Sequence, residues 1–144
     1  MRIDSLHAVT SARLAVIGLD ATLQAAASSL SRPSIGLVVV CSDTGAAGVL
    51  TKSDLVRHLA TAGEADASVA VMMSQPFVSC QPQDDVYGVW QTMTARKLQN
   101  VPVLGVGRAP LGILDIRDAM QALLDQEQFQ EQMLVNYIAG VGYR

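Results

Sequence analysis

The residues best suited to chemistry lie in two short segments, Thr51-Lys52-Ser53-Asp54 and Asp115-Ile116-Arg117-Asp118. Each follows a Gly-led apolar run, Gly48-Val49-Leu50 or Gly112-Ile113-Leu114, and each reads as a strand passing directly into a helix. A helix start exposes unpaired N–H groups and the positive end of the dipole, so it favours anions. Thr51 adds a hydroxyl donor, Lys52 and Ser53 lie beside it, and Asp54 brings a carboxylate that accepts from two donors at once. The same spacing has a purely structural use, because Thr51 followed by Asp54 is close to a capping box. From spacing alone, both readings stand.

The two segments are related by a constant offset of 64 residues (112 − 48). At that offset Asp20 meets Asp84, Val39 meets Val103, Leu50 meets Leu114, Asp54 meets Asp118 and Leu59 meets Leu123, with no gap between residues 20 and 62. The chain therefore reads as two copies of one β-α-β-β-α unit. In the first copy the pattern predicts a strand at Leu14–Ile17 and a helix capped by Asp20 from Ala21 to about Ser31. A fully covered strand over Ile35–Cys41 follows, then a turn at 42–45, a strand at Ala47–Leu50 and a helix from Lys52 to about Ala62, closed by Gly63. Glu64–Ser68 reads as a polar linker, and Val69–Met73 as a brief helical turn or strand.

The second copy repeats the order. A strand is predicted at Phe77–Cys80, then a helix capped by Asp84 to about Lys97, and strands at Val101–Val106 and Leu111–Leu114. The last helix begins near Ile116 and outruns its counterpart, reaching about Ala139 with Gly140 as its stop. Repeat one spans about residues 8–63, repeat two about 69–126, and a C-terminal helical extension about 127–140. One unit has too few layers to bury its own sheet. The expected fold is thus α/β of the mixed α+β kind, a single module over 1–144 formed by pseudo-twofold packing of the two units.

Bulk composition narrows the function. Half the residues are apolar but only 4% are aromatic, so the core must be built from Ala, Val, Leu, Ile and Met. A net charge of −3 and a pI near 5.1 argue against nucleic acid, which needs a basic face. No run of eighteen apolar residues exists to span a membrane, and the first residues lack a signal-peptide core, so a cytoplasmic protein is expected. Cys41 and Cys80 fit neither a disulfide framework nor a metal site, and His7 and His58 lack partners at metal spacing. No nucleophile–base pair emerges, and no enzyme is expected.

The doubled motif, Leu37-Val38-Val39-Val40 before Gly48 to Asp54 and Val101-Pro102-Val103-Leu104 before Gly112 to Asp118, resembles that of a CBS domain pair, the tandem module named after cystathionine β-synthase. The likeness runs from about Leu14 to Leu124. It implies a non-catalytic regulatory module that binds adenine nucleotides (AMP, ADP or ATP, sometimes NAD or S-adenosylmethionine) in clefts between its repeats and signals by a change of shape or dimer packing. It also implies a homodimer, to which an unidentified regulated protein is the natural partner. No cofactor is expected to be required, and no residue is assigned as a metal ligand.

On that resemblance Asp54 would grip the ribose diol while Thr51, Lys52 and Ser53 receive a phosphate at the helix start. Ile17, Ile35 and Leu37 would flank the adenine. In the second copy the candidates are Asp115 and Asp118, with Val101, Pro102 and Cys80 from the neighbouring strands. Asp115 stands where the family has Thr or Ser, and a carboxylate repels a phosphate. The two sites are therefore expected to be unequal. The Asp115/Asp118 site would be empty, take a nucleoside-like ligand or need Mg²⁺, unless Arg108 and Arg117 restore phosphate binding. The alternative is a structural or interaction module in which Thr51, Asp54, Asp115 and Asp118 are only caps. A third reading is a nicotinamide- or redox-linked regulator using Cys41 or Cys80. The helix over Leu123–Ala139 is the expected dimerisation or docking element.

Overall fold

The computed structural model describes residues 1–61 and 67–142. The chain opens with a 3-10 turn over Ile3–Leu6 and helix α1, His7–Ala12, neither of which the sequence patterns indicate. Strand β1 (Val16–Gly18), helix α2 (Leu23–Leu30), strands β2 (Leu37–Ser42) and β3 (Gly45–Thr51) and helix α3 (Lys52–Ala60) make the first repeat. A one-turn helix α4 (Val69–Met72), capped by Ser68, leads into the second. That repeat holds α5 (Val86–Ala95), β4 (Asn100–Leu104), β5 (Pro110–Asp115) and α6, which runs unbroken from Ile116 to Gly142. The helix does not stop at Gly140. The expected close of α3 at Ala62 and Gly63, and most of the linker, lie outside the described residues.

Three local expectations change. Thr22, not Asp20, caps α2 by accepting from the Ala25 N–H at 3.1 Å. Asp85, not Asp84, caps α5, accepting from the Gly88 N–H at 3.2 Å, while Asp84 accepts from the Gln81 N–H instead. In both cases the residue one or two places further on is better set, because the cap needs extended backbone immediately before the first helical residue. The predicted strand at Phe77–Cys80 shrinks to a single parallel bridge between Cys80 and Val103. The Cys80 N–H donates to Pro102 and its carbonyl accepts from Leu104, and no further ladder forms.

The first sheet has the order β1-β2-β3, with β1 parallel to β2 and β2 antiparallel to β3; the second is the antiparallel pair β4-β5. Burial explains the continuous apolar runs. Val38 and Val40 of β2 face one cluster with Leu23, Ala26, Leu30 and Leu55, whereas Leu37 and Val39 face another. That other cluster joins Leu37, Val39, Ala46 and Val49 from the first repeat to Leu104 and Ile113 from the second. Neither repeat closes this core alone. Gly36 and Asn100, equivalent at the 64-residue offset, meet each other: a Cβ on Gly36 would stand 2.7 Å from Nδ2 of Asn100.

The glycine that opens each motif has a packing reason. A Cβ on Gly112 would stand 2.7 Å from the Thr10 carbonyl carbon, so α1 rests directly on β5. A Cβ on Gly48 would meet the Met73 side chain at the end of α4. Each repeat is thus closed by a helix lying against a bare backbone.

Candidate functional site

β3 delivers Thr51 to the start of α3, and the local bonds form a complete capping box. Asp54 Oδ2 accepts from the Thr51 N–H at 3.0 Å and from its hydroxyl at 3.2 Å, and Thr51 Oγ1 accepts from the Asp54 N–H at 3.4 Å. Arg57 approaches the other oxygen, Oδ1, at 3.4 Å. The structural use of these residues is therefore real. It leaves Asp54 Oδ1 with a single long contact from an exposed arginine.

This helix start borders a cleft of about 820 Å³ lined by both repeats, within the ~300–1,000 Å³ typical of small-molecule sites. One wall holds Ile35, Leu37, Thr51, Lys52, Ser53 and Asp54; the facing wall brings Phe77, Arg96, Lys97, Asn100, Pro102 and Arg117. Seven of the sequence candidates, Thr51, Lys52, Ser53, Asp54, Ile35, Leu37 and Pro102, are brought together here. Ile17 is not among them, since it packs on the first repeat's core. Val101 and Cys80 are buried in the second repeat's core. Asn100 Oδ1 is buried without a hydrogen-bond partner among the described residues.

The pseudo-equivalent position is built differently. Asp115 is buried and accepts from the Arg117 backbone N–H at 2.8 Å and from its guanidinium at 2.8 and 3.0 Å. Burial acts to raise the Asp115 pKa, but the Arg117 bonds and the charges of Arg117 and Arg13 outweigh it, and the group stays below its ordinary value. Asp118 receives Arg13, with Nε at 2.5 Å from Oδ2 and Nη2 at 3.2 Å from Oδ1. That bond raises the Arg13 pKa against the opposing effect of burial. Arg13 also donates to the Ser34 carbonyl at 3.0 Å. Both second-copy carboxylates are thus taken by arginines of the same chain. They line neither the large cleft nor a smaller hollow of about 320 Å³ beside α5.

Arg13 is the offset equivalent of Phe77 (77 − 13 = 64). Where the first cleft has an aromatic ring, the second has a guanidinium laid across its aspartate. Arg108 does not reach the second-copy carboxylates; it packs over the Phe77 ring at 5.3 Å and donates to the Ala46 carbonyl. Cys80 is no reactive thiol, because burial, aided by the Asp84 charge, pushes its pKa up to about 12. Burial raises Cys41 as well. No group of three metal-ligating side chains occurs among the described residues, and none of their helices is long and apolar enough to cross a membrane.

Comparison with known proteins bears on this architecture. A CBS-domain containing protein of Agrobacterium tumefaciens is 31% identical and superposes with a TM-score of 0.72 over 85% of this chain and 98% of its own. A CBS domain protein of Pyrobaculum aerophilum, solved as a complex with AMP, is 20% identical with a TM-score of 0.71 over 82% and 89%. The CBS domain pair of protein MJ0100, solved with 5′-methylthioadenosine and S-adenosyl-L-methionine, is 16% identical with a TM-score of 0.73 over 88% and 98%. Among curated proteins, the arabinose 5-phosphate isomerase GutQ of Escherichia coli is 30% identical over 74% of this chain, which spans about a third (33%) of that relative's length. The CBS domain family model matches residues 6–61 and again 67–125, one match on each repeat. The doubled unit, its two-repeat core and these matches agree, and the chain belongs to the CBS domain family, carrying two copies of the domain.

Proposed function

We propose that this chain is a regulatory module that binds one adenine nucleotide per chain in the Thr51/Asp54 cleft and performs no catalysis of its own. The observation that supports this most is the contrast between the two halves. Beside Thr51 and Asp54 there is open volume, and Asp54 Oδ1 carries only a 3.4 Å contact from the exposed Arg57, whereas both oxygens of Asp118 are bonded by the half-buried Arg13. A ribose diol can donate to Asp54, a phosphate can meet the N–H groups at the start of α3, and Ile35, Leu37 and Pro102 offer apolar surface to a base. Relatives of the same fold were solved with AMP and with S-adenosyl-L-methionine, which is in keeping with this ligand class.

Because residues of both repeats line the cleft, a ligand there bears on how the repeats sit together, and a switch needs only that it favour one arrangement. Thermal shift with AMP, ADP, ATP, NAD, NADH and S-adenosylmethionine tests the reading. A ligand at 100 times its Kd should add about 2.7 kcal/mol to the folded state. No shift with any of the six would leave a structural or interaction module.

A further inference from the structure

The whole chain is acidic, with a net charge of −3, yet the cleft is lined by four cations, Lys52, Arg96, Lys97 and Arg117, and by one carboxylate, Asp54. Three of the four come from the second repeat, facing the α3 start across the opening. Among the described residues no carboxylate lies within ion-pair distance of Lys52, Arg96 or Lys97. Arg117 is held in place by Asp115 behind it, and its side chain remains 74% exposed. It offers positioned N–H donors more than free charge.

The end of α5 sets where Lys97 leaves the helix. α5 ends in a Schellman motif: the Leu98 N–H donates to the Met93 carbonyl at 2.8 Å and the Lys97 N–H to Thr94 at 3.3 Å. Lys97 occupies the left-handed position of that motif, with φ of 56°. Glycine is the residue that fills this position without strain. A lysine there keeps a cation on the cleft wall at a conformational cost.

We infer that the cleft reads the length of a phosphate chain, taking a nucleoside di- or triphosphate in preference to the monophosphate. The first phosphate meets the α3 start, and the added ones meet Arg96, Lys97 and Arg117 on the opposite wall. The inference rests on the nucleotide reading of this cleft and specifies its ligand.

Titration calorimetry of the full chain with AMP, ADP and ATP, at fixed ionic strength and without divalent metal, tests it. ATP should bind roughly tenfold or more tightly than AMP, from two further phosphates meeting solvent-facing cations. That gap should shrink to about threefold or less in Lys97→Gly combined with Arg96→Ala, as expected for removal of those contacts. AMP affinity should hold in the same variant, and Lys97→Gly alone should melt no lower than the wild type. Equal affinities for the three nucleotides, or a gap that survives the double substitution, would overturn the inference while leaving nucleotide binding intact. Failure of all three to bind would overturn both.

Discussion

Arg13 and Asp118, 105 residues apart, are joined by two hydrogen bonds between guanidinium and carboxylate, at a place where the other half of the molecule keeps its aspartate facing an open cleft. The pair closes α1 onto the second repeat and fixes the asymmetry of the two halves. Charged hydrogen bonds of this kind contribute about 1.5–3 kcal/mol when shielded from solvent. Both side chains are about one-fifth exposed, so the lower end applies. Arg13→Ala should lower unfolding free energy by about 1–2 kcal/mol in urea titration, with an unchanged m-value. Asp118→Ala should destabilise to a similar degree yet leave nucleotide affinity within about twofold.

Asp115 couples the fold to pH. Its pKa is lowered on folding from an ordinary 3.8, because its arginine and backbone partners outweigh burial. A carboxylate whose pKa falls on folding stabilises above the unfolded pKa and loses that contribution as pH drops through the folded value. Asp115→Asn keeps the helix-start acceptor but loses the charge, and should cost about 1–2 kcal/mol at pH 7. Urea titrations from pH 7 down to pH 3 should show this difference shrinking below about pH 4. A constant difference across that range would remove Asp115 from the acid response.

The two motif glycines differ in what they face. Gly112 abuts the Thr10 backbone, which cannot yield, while Gly48 abuts the Met73 side chain along its Sδ, Cγ and Cβ, which gives way only if the whole side chain turns. Gly112→Ala should therefore cost about 2–3 kcal/mol and Gly48→Ala less, about 1–2 kcal/mol, read from chemical denaturation. The reverse order would mean that α1 does not press on β5 as described.

Beyond Asp125, α6 leaves large apolar side chains uncovered: Phe129, Met133, Leu134, Tyr137 and Ile138 are each more than half exposed. We propose that this stretch joins two copies of the chain. Truncation after Asp125 should then convert a dimer to a monomer in sedimentation equilibrium. An unchanged mass would place the interface elsewhere.

The repeat, the strand-to-helix breaks and the starts of α3 and α6 are legible in the sequence because apolar periodicity and capping chemistry are local. The 64-residue register also holds the clue to Arg13. Carried back from Phe77 it points to position 13, but only a folded chain reveals that α1 carries the guanidinium to Asp118. The facing wall of the cleft is equally non-local. Arg96, Lys97 and Asn100 sit at the end of α5 and the start of β4, a connection whose composition is ordinary. Cys80 and Val101 look like site residues by motif position, yet both lie in the core: Val101 because alternate residues of β4 face opposite ways, and Cys80 because its single bridge to Val103 holds it against that core. Thr22 and Asp85 displace Asp20 and Asp84 as caps within one or two residues, a distinction set by backbone angle rather than by residue type.

Whether Asp54 serves a ligand or only its own helix is decided by Asp54→Glu. Glutamate is the usual partner in a capping box, so helix α3 should keep its stability within about 0.5 kcal/mol, whereas Asp54→Ala should lose about 1 kcal/mol. The longer side chain nevertheless displaces the carboxylate in the cleft. Titration calorimetry should give one nucleotide per chain for the wild type and at least about a tenfold loss of affinity for Asp54→Glu. Two equal sites per chain, or wild-type affinity in the glutamate variant, would contradict the account.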